Sequence, residues 1–144
     1  MAVLVSRYNE VVTAKLFDGA LACCAEAGIA RQDVDVVWLS GAFELAGAAS
    51  SAVATGRYAA VVALGAVIRG DTPHFEYVAG AAARGLGDVA TRTGVPIGFG
   101  VLTTDTLEQA LARAGGEAGN KGHEAAEAAI TAADALGQLR GQGA

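Results

Sequence analysis

Four short apolar runs alternate with longer stretches of helical spacing, and this alternation restricts the chain to very few architectures. The first run, Ala2-Val3-Leu4-Val5, passes into Ser6-Arg7-Tyr8-Asn9. Helical spacing follows over residues 11–27, with Leu16, Ala20 and Cys23 or Cys24 on one stripe and Gly28 at its end. A second strand is expected over 34–39, and helical spacing resumes after Glu44 until Gly56. Residues 59–67 are almost uninterrupted Val, Ala and Leu, the pattern of a strand buried on both faces. A third helix should open near Thr72-Pro73, with Thr as cap and Pro in the first helical position, and run to about 93. The fourth strand is expected over 96–102. Asp105 with Glu108 resembles a capping box for a short helix that stops at Gly115-Gly116. A last helix over 121–139 carries a small-residue face of Ala125, Ala129 and Ala132, and a frayed tail is expected from about 140 to 144.

Strand and helix in alternation imply an α/β fold: one domain over 1–144, with a four-stranded parallel sheet between two helical layers. The strand order expected is flavodoxin-like. At 144 residues the chain can bury a sizeable core without a metal or disulfide staple. Charged residues make up only 17% of it and the net charge is −5, with no cluster of Lys or Arg. Nucleic acid and anionic membranes are therefore not expected partners. The positive mean hydropathy suggests apolar surface buried between subunits. Cys23 and Cys24 are neighbours, match no metal spacing, and read as packing residues in a reducing cytosol. Arg7 and Glu10 interrupt the opening apolar run well short of a signal-peptide core, so a cytoplasmic protein is expected.

In an open parallel sheet, ligands bind beyond the carboxyl ends of the strands. That rule selects Ser6-Arg7-Tyr8-Asn9, Ser40-Gly41-Ala42-Phe43-Glu44, Arg69-Gly70-Asp71-Thr72-Pro73-His74 and Thr103-Thr104-Asp105. The third turn joins a glycine, a hydroxyl and a helix N-terminus, a combination suited to phosphate. His74 lies in the first turn of that helix and has the side chain best suited to moving protons near neutral pH. On composition alone, the commoner reading is a surface histidine on a capped helix. Glu44 could accept from the hydroxyls of a polyol or be a first-turn acid, and Tyr8 could stack on a flat ring or simply end a strand. Arg113 either complements the dipole of its short helix or clamps an anion. Lys121 and His123 open the last helix, where cations are slightly unfavourable, and His123 has no evident partner. With two histidines far apart and no Cys-x-x-Cys, no metal set is expected, nor any nucleotide-binding glycine motif.

Several segments together resemble lumazine synthase. They are Ser-Arg-Tyr-Asn at 6–9, Gly-Ala-Phe-Glu at 41–44 and Gly-Ala-Val-Ile-Arg-Gly-Asp-Thr-Pro-His-Phe-Glu-Tyr-Val at 65–78. Phe-Gly-Val-Leu-Thr-Thr-Asp-Thr-Leu-Glu-Gln-Ala at 99–110, Arg-Ala-Gly at 113–115 and Gly-Asn-Lys-Gly at 119–122 complete the match, in order and over nearly the whole chain. The resemblance implies condensation of 5-amino-6-(D-ribitylamino)uracil with 3,4-dihydroxy-2-butanone 4-phosphate to 6,7-dimethyl-8-ribityllumazine, with release of phosphate and water. No cofactor is implied.

By the same resemblance Tyr8 stacks on the pyrimidine, with Asn9 beside it, and Ala42, Phe43 and Glu44 line the ribityl pocket. Ala66, Val67 and Ile68 border the pyrimidine edge. Asp71 and Thr72 match the phosphate turn, His74 the proton-transfer histidine and Arg113 the phosphate clamp. Phe99, Arg113 and Lys121 would come from a neighbouring subunit, so the site would need a homo-oligomer. A pentamer is expected, an icosahedral cage of sixty subunits is left open, and riboflavin synthase is a possible partner. Ser40 and Ala46 stand where relatives commonly carry Pro, which should loosen the turn by about 1 kcal/mol of unfolded-state entropy. Relatives also usually carry a further N-terminal segment that adds an edge strand to a neighbour's sheet, so an edge is expected to be less covered here. The short connection over 115–122 resembles the compact form of cage-forming relatives. A non-catalytic shell of the same fold and a flavin-binding module are the competing readings. The first would be expected to lose His74, Arg113 or Glu44, and the second lacks a Ser/Thr-rich phosphate loop after the first strand.

Overall fold

In the computed structural model, which describes residues 1–141, the four apolar runs form one parallel sheet. Its strands are β1 (Ala2–Ser6), β2 (Asp35–Leu39), β3 (Val61–Ile68) and β4 (Ile97–Thr104), in the spatial order β2-β1-β3-β4. The flavodoxin-like order expected from the sequence is the one observed. Helix α1 (Glu10–Glu26) joins the first two strands, and α2 (Leu45–Ala54) follows the second. Helix α3 (His74–Thr93) links β3 to β4, and the short α4 (Leu107–Ala112) comes next. A small antiparallel pair, β5 (Ala114–Gly116) and β6 (Gly119–Asn120), then leads into α5 (Lys121–Leu139).

The central strands lack polar alternation because both of their faces are covered. Val3, Val5, Val62 and Leu64 point to one side, against Leu16 and Ala20 of α1 and Ala125 and Ala129 of α5. Leu4, Val61 and Ala63 point to the other, against Leu45 and Ala49 of α2 and Leu86 and Val89 of α3. Small residues let the helices approach closely. A β-carbon at Gly122 would collide with the Leu16 carbonyl, and one at Gly98 with the Ala125 carbonyl. The α1–α5 seam and the α5–β4 contact thus depend on glycine. Cys23 and Cys24 are buried free thiols on the α1 stripe, in the packing role expected of them.

Several local expectations are corrected. The fourth strand runs two residues further than 96–102, to Thr104. The capping box before α4 is Thr106 with Gln109, not Asp105 with Glu108. Thr106 Oγ1 accepts from the Gln109 amide at 3.1 Å, and Gln109 Oε1 accepts from the Thr106 amide at 3.3 Å. Asp105 is drawn instead to Arg69. Helix α3 begins at His74, with Pro73 just outside it, and no side chain caps it, so Thr72 is not its cap. Helix α4 ends at Ala112, before the glycines that were expected to stop it. His123 does have a partner: its Nε2 lies 2.8 Å from Glu26 Oε2, across the seam between α1 and α5. Of the tail expected to fray, Arg140 caps α5 and donates to the Gly94 carbonyl at 2.7 Å, while residues 142–144 lie outside the described ones. No helix among the described residues is long and apolar enough to cross a membrane.

Candidate active site at the sheet switch point

β1 and β3 are neighbours, but the chain leaves β1 toward β2 on the far side, which opens a crevice at their carboxyl ends. Asn9 holds its two rims together. It adopts left-handed backbone angles (φ 62, ψ 47), tolerated by Asn better than by most side chains, and turns the chain into α1. Its carbonyl accepts from the Val12 and Thr13 amides, while its side-chain amide donates to the Ala66 carbonyl at 2.9 Å. Asn9 therefore ties the end of β1 to β3 and does not line the cleft.

That cleft measures about 710 Å³. Tyr8 stands on one side, 73% exposed, and Phe43 on another, 63% exposed. Ala66, Val67 and Ile68 form an apolar floor, and Ala42 and Glu44 flank it. Glu44 is held by the turn it belongs to, since one carboxylate oxygen accepts from the Gly41 amide at 3.0 Å. This is the helix-start role open to it from sequence, and it leaves the second oxygen available.

Thr72 and His74 line the far end. No side chain caps α3, so the first amides of the helix have no side-chain acceptor among the described residues, and its first residue, His74, lines the cleft. Such a terminus attracts anions through its free N–H groups and its dipole. The exposed imidazole of His74 makes no hydrogen bond among the described residues, which leaves both ring nitrogens open to a ligand. Asp71 is exposed in the turn but does not line the cleft.

Phe75, Tyr77 and Val78 also line the cleft and were missed from sequence. The signal existed, because Tyr77 and Val78 follow His74 at i+3 and i+4 and must share its helix face. Ser40, Gly41 and Gly70 complete the lining.

Three expected residues lie elsewhere. Phe99 sits on edge strand β4, 40% exposed, in a shallow apolar hollow against Leu86 and Ala90 of α3. Arg113 and Lys121 are brought together by the β5–β6 pair, the Lys121 amide donating to the Arg113 carbonyl at 2.8 Å. Within the chain the Arg113 guanidinium donates to the Gln109 carbonyl at 2.9 Å, so it does complement its own helix end. Asn120 Oδ1 accepts from the Gly122 and His123 amides, fixing the start of α5 beside Lys121. Among the described residues no group of His, Cys, Asp and Glu could hold a metal ion.

A family model for 6,7-dimethyl-8-ribityllumazine synthase matches residues 1–137. The chain belongs to the lumazine synthase family. Membership makes it an enzyme of riboflavin biosynthesis and supports the family's lumazine-forming condensation of small-molecule substrates.

Proposed function

We propose that the condensation takes place in the β1/β3 cleft and that each cleft is completed by a neighbouring subunit of a homopentamer. The observation that carries this reading is a division among the residues matched to lumazine synthase. Tyr8, Phe43, Glu44, Ala66–Ile68, Thr72 and His74 line one cleft, while Phe99, Arg113 and Lys121 stand exposed and apart from it. A second copy of the chain can bring the latter group to the former.

In this reading Tyr8 and Phe43 sandwich flat or apolar parts of the pyrimidine substrate, and Glu44 accepts from its ribityl hydroxyls. The Asp71-Thr72 turn and the free amides of α3 receive the phosphate of the butanone, Asp71 through its backbone. Arg113 of the neighbour supplies the cationic clamp that the turn lacks. Lys121 adds a second positive charge beside it. Phe99 of the neighbour closes the apolar wall.

The chemistry then needs placement and proton transfer. The pyrimidine amine adds to the ketone and water leaves to give an imine. Phosphate is eliminated, and the ribitylamino nitrogen closes the ring with loss of water. Holding both substrates together removes the entropy cost of their encounter. His74 stands beside the phosphate turn, where it can move protons between nitrogen, carbon and leaving oxygen, an effect of roughly 10²- to 10⁴-fold. The buried free thiols Cys23 and Cys24 suit a reducing, cytoplasmic setting.

Purified protein mixed with both substrates should produce lumazine fluorescence and phosphate above the uncatalysed background. His74→Ala should be slower by roughly 10²-fold yet still active, and Arg113→Ala should chiefly raise KM for the phosphate substrate. A well-folded oligomer with no rate above background would overturn the proposal.

A further inference from the structure

The phosphate turn is poorly held by its own backbone. Between the Arg69 amide, which donates to the Thr104 carbonyl at 2.8 Å, and the Pro73 carbonyl, which accepts from Glu76, the turn makes no other hydrogen bond among the described residues. Yet Thr72 and His74 must keep their positions if the α3 amides are to meet a phosphate. One side chain spans the gap. Arg69 Nε donates to Asp105 Oδ1 at 2.8 Å, in the turn after β4. Its Nη1 lies 3.8 Å from Glu76 Oε1 in the first turn of α3, and its guanidinium carbon sits 4.5 Å from the Phe75 ring centroid. His74 thus lies directly before two residues that Arg69 grips. Arg69 does not itself line the cleft.

We propose that Arg69 is a positioning residue for the phosphate end of the reaction. It acts in two ways, both directed at that end. Its planar fork ties the start of α3 to the β4 turn, since a guanidinium stacked on Phe75 can face Asp105 and Glu76 at once where a compact ammonium cannot. Its charge also offsets Glu76 and Asp105, two carboxylates that would otherwise repel an incoming dianion. The inference rests on the preceding assignment of phosphate to the Asp71-Thr72 turn.

The contacts of Arg69 are solvent-exposed, its side chain being 46% accessible. Exposed ion pairs add little to global stability, so a variant should fold and its effect should appear in binding. Steady-state rates of Arg69→Ala, Arg69→Lys, Asp105→Asn and the Arg69→Ala/Asp105→Asn double variant, each substrate varied in turn, test this. Arg69→Ala should raise KM for the phosphate substrate by about tenfold or more, since small misplacements are costly to a positioned reaction. KM for the pyrimidine should stay within about twofold. Arg69→Lys should fall between wild type and Ala. Asp105→Asn should shift the same constant by less, and the double variant should be no worse than Arg69→Ala, as expected for partners in one contact.

Unchanged phosphate-substrate KM in Arg69→Ala, an equal rise for both substrates, or fully multiplying losses in the double variant would overturn the inference. If Arg69→Ala fails to assemble, an unchanged phosphate-substrate KM in both Arg69→Lys and Asp105→Asn overturns it instead. An inactive wild-type enzyme refutes the cleft assignment and the Arg69 role together. An active wild type with an indifferent Arg69→Ala refutes the Arg69 role alone.

Discussion

Asp35 and Tyr58 show how one contact tunes a group far from the chemistry. Tyr58 donates to Asp35 Oδ2 at 2.5 Å, and Arg57 reaches the same oxygen at 2.9 Å. The Tyr58 hydrogen bond, aided by Arg57, lowers the Asp35 pKa, while the same bond raises that of Tyr58. The signs lead to two pH limits. A lowered carboxylate contributes stability that is present above its unfolded pKa and lost as pH falls through its folded one. A raised phenol contributes stability that is present below its unfolded pKa and lost as pH rises through its folded one. The pair therefore holds across the neutral range and fails at both extremes. Tyr58→Phe should return the Asp35 titration toward the ordinary carboxylate value and move the acid limb of stability to higher pH. Carboxyl-carbon NMR titration checks the first part, and an unmoved Asp35 would refute the assigned cause.

At the scale of elements, the sequence was most legible where one physical signal dominated. The small-residue period of 121–139 gave α5 to the residue, and the apolar run over 59–67 placed β3 to within two residues, because burial on one face of a helix or both faces of a strand leaves its mark on the pattern. Boundaries governed by competing polar partners were less legible. Asp105 looks like a cap in the sequence, but its carboxylate is taken by Arg69, 36 residues away, and Thr106 caps the helix instead. The cleft floor and its aromatic flanks could be read from the turn rule and the resemblance, whereas the clasp made by Asn9 depends on a 57-residue contact invisible to local pattern. The α1–α5 seam offers a test with opposite signs on one helix. Gly122→Ala drives a methyl group into the Leu16 carbonyl and should destabilise by about 3 kcal/mol. Gly137→Ala, where an added β-carbon meets nothing within 4 Å, should stabilise α5 by about 0.5 kcal/mol. Urea unfolding of both variants reads the two signs. Equal effects would mean that close approach does not govern the seam.

For the molecule as a whole, the proposed function makes the cleft and the β5–β6 corner two halves of one chemistry. His74 and Thr72 open onto the cleft, while Arg113 and Lys121 project from the β5–β6 corner without reaching that cleft's lining. Exposed apolar groups such as Val37 on edge strand β2 and Phe99 on edge strand β4 leave both sheet edges suited to contact with other subunits. A heterologous, head-to-tail contact closed into a ring would give every cleft its missing cations, at the cost of making no isolated subunit competent. This arrangement can be tested without a structure of the assembly. On the proposed reading His74→Ala and Arg113→Ala should each be impaired, but at different halves of the site. When the two variants are unfolded together and reassembled in equal amounts, a site taking its histidine from one parent and its arginine from the other is intact. Random mixing in a ring makes such sites about a quarter of the total, so at a phosphate-substrate concentration far below the KM of Arg113→Ala, where both parents are slow, activity should return to about a quarter of wild type. If both halves of a site came from one subunit, mixed assemblies would contain no intact site and the activity would stay at the mean of the two parents.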